Sequence, residues 1–144
     1  MTDEGAPAGY RYFDVEADVG VAAWAPSLAE AFAEAALGVL ALIVAPDSIE
    51  SRQTREVRAQ GESPEELLVN WINECLYVHE IEGFVARRVE VTALGGGRVH
   101  GLLHGEELDT RRHHLGTVVK AATFHRVAVR DAGGRAETSL VVDV

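Results

Sequence analysis

The sequence predicts an α+β fold, a mostly antiparallel sheet with two helices packed on one face. Three observations lead there. Two stretches show helical periodicity behind a Ser-x-x-Glu start. Most of the remainder is rich in β-branched residues. Glycine clusters at 95–97 and 131–134 separate strand-like runs closely enough for hairpin turns.

Residues 1–8 read as a disordered tail and 9–144 as a single domain. "YRYFDVEADVGVAAWA" (10–25) is one extended strand or two short ones. A helix is expected over 27–44: Ser27 caps it with Glu30, Leu28, Phe32, Ala35, Val39 and Leu42 recur on one face, and Pro46 stops it. "IESRQTREVRAQG" alternates charge and is poor in core residues, as an exposed edge strand near 50–60 would be. The second helix spans 63–83, with Ser63 as N-cap, Pro64 at N1, Glu66 closing the box and Gly83 at the C-terminal end. Strands follow at 84–93, 98–106, 117–130 and 136–144.

The 144 residues suffice for one core, and 47% apolar with 25% charged residues is ordinary for a soluble globular chain. No apolar run is long enough to span a bilayer. The acidic start "MTDEGAPAG" lacks the features of a secretory signal, so a cytoplasmic location is expected. A net charge of −10 argues against a chain that grips nucleic acid by itself, and suits either solubility or a partner with a basic surface. One cysteine, Cys75, permits no internal disulfide and reads as a buried thiol.

Some motifs can be set aside. Gly95, Gly96, Gly97 and Gly101 do not follow the dinucleotide spacing and lie between strands. "HEIEG" (79–83) lacks the second histidine of a zinc protease pair, and His79 suits a helix C-terminus. His113, His114 and His125 invite a zinc reading. Adjacent strand residues face opposite ways, however, and His125 shares its parity with Val119, Ala121, Thr123, Val127 and Val129. A core or half-buried histidine with a hydrogen-bond partner is the better reading.

Three charged residues remain. Lys120 is the only lysine; the other twelve basic residues are arginine. It sits in "VVKAA", where an ammonium needs either a partner carboxylate or a task. Asp18 interrupts a hydrophobic strand, and Asp143 follows the apolar run "SLVV". On neighbouring strands the two carboxylates would make a hard-cation site, completed by a backbone carbonyl or water. The plainer reading is two solvated carboxylates.

Taken together, "ADVGVAAWAPSLAEAFAEAAL", "ELLVNWINECLYVHEIEGFV", "GEELDTRRHHLGTVVKAATFH" and "VVDV" resemble the archease family over residues 10–144. The resemblance implies an α+β cofactor protein, not a free-standing enzyme, that acts on the RtcB-type RNA-splicing ligase. Such a protein promotes the ligase's guanylylation from GTP and its repeated turnover in tRNA splicing or RNA repair, meeting RNA only through the ligase and involving no membrane. By resemblance the ligase-activating residues are Asp18, Lys120 and Asp143. A divalent metal, calcium or a similar hard ion, would be held by Asp18, Asp143 and Val144. His113 and His125 would support the site. The family's first motif usually reads His-Thr-Ala-Asp; here it is Val15-Glu16-Ala17-Asp18. Glu16 shares Asp18's strand parity and is placed to add an oxygen. The alternative function is a small metal-binding chaperone or protein-interaction module with a divergent site. A metal-dependent hydrolase is weakest, because no nucleophile–base pair is visible.

Overall fold

A computed structural model describes residues 5–144; residues 1–4 of the expected tail lie outside the described residues. At the near end of that tail, the Trp24 indole donates to the Ala6 carbonyl at 3.0 Å.

The chain runs β1 (Gly9–Val15), β2 (Asp18–Ala25), α1 (Leu28–Ile43), a 3-10 turn (Pro46–Ser48), β3 (Gln53–Gln60), α2 (Pro64–Glu82), β4 (Phe84–Gly95), β5 (Arg98–Glu107), β6 (Ala121–Asp131) and β7 (Ala136–Asp143). The α+β prediction holds. Every strand pairing is antiparallel, but the strands form two sheets, not one: β1-β2-β7-β6 and β3-β5-β4. β3 is an edge strand, as its charge alternation predicted.

Both helices start as their local chemistry dictates. The Ser27 hydroxyl accepts from the Glu30 N–H at 3.2 Å, and that of Ser63 accepts from the Glu66 N–H at 3.1 Å. Such caps satisfy otherwise orphaned first-turn donors. Gly83 closes α2 in the left-handed conformation, φ 60°.

The helices lie between the sheets. α1 meets β2 and β7 on one side and β4 on the other; α2 meets β6 and β3. Val21, Phe32, Leu68, Trp71, Ile72, Phe84, Leu103 and Leu140 fill one shared core. Trp71 fixes the α1–α2 contact by donating its indole N–H to the Phe32 carbonyl at 3.0 Å. Cys75 is buried in this core, and burial pushes its thiol pKa up, away from reactivity. No helix is long and apolar enough to cross a membrane among the described residues.

The layering leaves one face of the four-stranded sheet turned outward. Alternation and register define it. Gly9, Trp24 and Glu137 form one row with Arg130; Arg11, Ala22 and Ser139 form the next with Ala128. Phe13 then lies across Gly20, where a Cβ would stand 2.2 Å from the phenyl ring.

Three expectations need correction. The strand expected from 117 begins at Ala121. The preceding segment is drawn to α1 instead: Gly116 N–H donates to the Ile43 carbonyl and Thr117 N–H to the Leu42 carbonyl, each at 2.7 Å. Only glycine fits there, because a Cβ on residue 116 would come within 2.4 Å of the Leu42 oxygen. The parity argument for His125 also fails. The β6–β7 register shifts between Thr123 and Ala128, and Arg126 takes φ 55° within that bulge. His125 is consequently exposed, while Ala122 of the opposite parity is buried. Finally, the two-strand reading of residues 10–25 holds, and with it the strand parity given to Glu16 fails. Glu16 and Ala17 form the turn between them, with Ala17 at φ 65°, so Glu16 does not continue the strand that carries Asp18.

Candidate functional site

Asp18 opens β2 and Asp143 ends β7. The last pair along β2–β7 is Val19 with Val142. Carried one residue further, that register sets Asp18 opposite Asp143. Directly opposed residues have Cα atoms roughly 4.5–5.5 Å apart and present side chains to the same face. On the other side of β7, Asp143 pairs with Ala121, and the Lys120 N–H donates to the Asp143 carbonyl at 2.9 Å. The three residues singled out in the sequence thus share one end of the four-stranded sheet.

Their charged groups are not consumed by the fold. Among the described residues, no side-chain hydrogen bond or ion pair engages the two carboxylates or the Lys120 ammonium. Lys120 is exposed, and the aspartates are half-buried. Two facing carboxylates repel, and a hard cation relieves that repulsion.

Two carboxylates are donors of the kind that calcium or a similar hard ion takes, while the Asp143 carbonyl already accepts the Lys120 N–H. It is a sparse set, since no group of three or more His, Cys, Asp or Glu side chains could hold a metal among the described residues. Glu16, exposed in the turn, adds no ligand by strand parity.

Lys120 is held in place from several directions. Asn73 of α2 accepts from the Ala122 N–H at 2.8 Å and donates to the Ala122 carbonyl at 3.3 Å. This side chain caps the free edge of β6 immediately after Lys120. Upstream, Leu115 bridges to Val44, and the Ala45 N–H donates to the His114 carbonyl at 3.1 Å. The segment also presents apolar side chains to solvent: Leu115 is 58% exposed, Val118 74% and Phe124 57%.

His113, expected to support the site, belongs to a separate network centred on Glu106, and among the described residues its ring bonds to none of Asp18, Lys120 and Asp143. Its ring is buried in the loop after β5. Nδ1 accepts the Asp109 N–H at 2.9 Å, which leaves the ring proton on Nε2, 2.8 Å from a Glu106 carboxylate oxygen. Glu106 is itself only 4% exposed. Arg112 reaches its two oxygens at 3.0 and 2.7 Å, and the Glu50 N–H donates at 2.7 Å. The Arg112 guanidinium foremost, with Glu50 and His113, holds the Glu106 carboxyl down to about 2 against the opposing effect of burial.

Sequence reasoning missed Glu106 and Asn73. The signal for Glu106 was a carboxylate followed six and seven residues later by Arg112 and His113. Nothing local marked Asn73, whose partner lies 49 residues away. His125 joins neither network by its ring among the described residues; its backbone N–H donates to the Thr123 hydroxyl at 3.3 Å.

Comparison with known proteins bears on the family and the fold. The model of the Archease protein family (MTH1598/TM1083) matches residues 10–144. Protein archease of Pyrobaculum neutrophilum is 34% identical over 144 residues, spanning 97% of this chain and 98% of that protein. Protein archease of Pyrococcus abyssi is 34% identical over 139 residues, spanning 94% and 98%. The solution structure of Methanobacterium thermoautotrophicum protein 1598 superposes with a TM-score of 0.77 at 27% identity, covering 94% of this chain and 99% of that one. A Thermotoga maritima crystal structure described as an archease and possible chaperone shares the fold, with a TM-score of 0.62 at 19% identity over 93% and 96% of the two chains. With its whole domain matched by family and relatives alike, the chain belongs to the archease family.

Proposed function

We propose that this protein is an accessory factor of an RtcB-type RNA-splicing ligase, and that it promotes guanylylation and repeated turnover of that enzyme in tRNA splicing or RNA repair. One observation carries the reading beyond family membership. Asp18, Lys120 and Asp143 gather at one sheet end, with charged groups that no side chain among the described residues engages. Charges left unpaired inside a protein's own structure are suited to act on something outside it.

In this reading the sheet end inserts beside the ligase's nucleotide. Asp18 and Asp143, with a main-chain oxygen of Val144, hold a divalent metal of the calcium type. That ion supplies fixed positive charge near phosphate oxygens. Lys120 adds a point cation for the same charge. Leu115, Val118 and Phe124 provide an apolar margin for the protein–protein contact. The possible-chaperone description of the Thermotoga protein supplies a second reading, favoured by the same exposed residues, in which that margin receives other chains.

Guanylylation of the cognate ligase with labelled GTP decides between them. Wild-type protein should speed labelling and Asp143→Ala should not. Stimulation that survives the substitution removes the site, and none from folded wild type removes the ligase.

A further inference from the structure

The outward stripe of α2 changes character along its length. The opposite face, with Leu68, Trp71, Ile72, Cys75 and Leu76, is buried. On the outer face Asn70, Asn73, Glu74, Tyr77 and Ile81 recur at helical spacing. In the first half of the helix the fold uses that stripe: Asn70 donates to the Gln60 carbonyl at 2.8 Å, and Asn73 clasps Ala122. Beyond Asn73 the stripe becomes apolar. Tyr77 is 59% exposed and Ile81 62%, about 6 Å apart along the helix axis. Glu74 and Glu80 lie beside them and are exposed. Among the described residues no hydrogen bond or ion pair engages either carboxylate or the Tyr77 hydroxyl.

Single exposed apolar residues are ordinary on a protein surface. Position sets these two apart. Asn73, one turn before Tyr77, holds Ala122, which follows Lys120 by two residues. Gly83, two residues after Ile81, accepts the Leu108 N–H at 2.7 Å. The chain between Leu108 and Ala122 carries Lys120 and the exposed Leu115 and Val118. It is therefore tied to α2 on either side of the Tyr77–Ile81 turn.

We infer that the outer face of α2, centred on Tyr77 and Ile81, docks this protein on the ligase, against a patch apolar at its centre and basic at its rim. The inference rests on the ligase reading and names a contact that the reading leaves open. Tyrosine is enriched among the residues that anchor interfaces, and its helix is held rigid here by the buried opposite face. Glu74 and Glu80 need cations opposite them, and an enzyme that grips RNA carries such cations. The same carboxylates disfavour other occupants. They repel the phosphates of RNA. A second copy of this chain, crossing antiparallel about Tyr77, would set Glu74 of each copy against Glu80 of the other, a like-charge pair. In this arrangement α2 sets the affinity for the ligase and the Asp18–Asp143 end sets the rate.

That division of labour supplies the test. Guanylylation of the cognate ligase with labelled GTP is followed, without RNA, as the full chain is titrated in. Tyr77→Ala with Ile81→Ala should raise the concentration for half-maximal stimulation about tenfold, with the plateau and the melting temperature unchanged. Glu74→Arg with Glu80→Arg should raise it about threefold to tenfold at low salt, an effect that shrinks as salt is added. Asp143→Ala, by contrast, should lower the plateau. A half-maximal concentration unmoved by the Tyr77 and Ile81 substitutions would overturn the docking surface, as would a loss confined to the plateau. Tighter action by the charge-reversed variant would overturn the basic rim. No stimulation by folded wild type discards the ligase reading and this surface with it. Stimulation by both double variants at wild-type concentrations discards the surface alone.

Discussion

His113 donates its Nε2 proton to the buried carboxylate of Glu106 at 2.8 Å, and this contact ties the loop after β5 to the second sheet. Arg112 of the same loop, the Glu50 N–H and Arg52 at 3.7 Å are the carboxylate's other partners, so Glu106 joins that loop to the chain just before β3. Glu106→Ala would leave Arg112 and His113 facing a void. Removing one partner of a buried charge network costs roughly 3 kcal/mol. Urea denaturation should show that loss as a lower midpoint with an unchanged slope.

The same carboxylate predicts a pH effect. Its folded pKa is depressed to about 2, below the unfolded value of about 4.3. A depressed carboxylate stabilises the fold above its unfolded pKa, and that stability fades as pH falls toward the folded value. The stability gap between wild type and Glu106→Gln should therefore be full at neutral pH, narrow below about 4.3 and close near 2. A gap that stays constant from pH 6 to pH 2.5 would contradict it.

Thr138 offers a change in the opposite direction. Its hydroxyl is buried without a hydrogen-bond partner, on the inner side of β7 beside Ala23 and Val129. Thr138→Val replaces an unsatisfied polar atom by a methyl group of the same shape. The gain should be about 1 kcal/mol, read as a melting temperature higher by roughly 2–4 °C.

Ala17 holds a left-handed turn conformation that disfavours a side chain. Glycine relieves that strain but enlarges the unfolded ensemble. Ala17→Gly should raise stability by about 0.5 kcal/mol. Chemical denaturation resolves this, and a fall in stability would mean that the strain is smaller than the entropy.

Gly116→Ala tests how Lys120 is positioned. The new Cβ would come within 2.4 Å of the Leu42 carbonyl oxygen and drive the loop off α1. Ligase stimulation should drop severalfold, with the loss of stability limited to the end of α1 around Leu42 and Ile43. An unaltered guanylylation rate would show that the hook on α1 is dispensable.

Metal binding has a readout apart from activity. Calcium should raise the melting temperature of wild type in a concentration-dependent way and leave Asp18→Asn with Asp143→Asn unmoved. Magnesium, which prefers a stricter octahedron, should be less effective.

Both helices were legible because their signals are local. Ser27 with Glu30, and Ser63 with Glu66, are three residues apart and bond as the spacing requires. Asp18, Lys120 and Asp143 emerged from chemistry out of place: charges among apolar neighbours. What escaped the sequence depends on distant partners. The segment before Ala121 looked like strand until Leu42 and Ile43 offered it carbonyls. Alternation placed His125 inward, and one bulge reversed it. The division into two sheets follows from helices that need apolar cover on both sides, which no single strand's pattern records.

That layering has a bearing on how such a protein changes over time. Because α1 and α2 are enclosed, the outward surface of β1-β2-β7-β6 carries almost none of the core. Its charge can be rewritten from one lineage to the next with little penalty in folding. The scaffold and the surface it displays are thus free to evolve at different rates, and a stable, unchanging interior can accompany a shifting choice of partners.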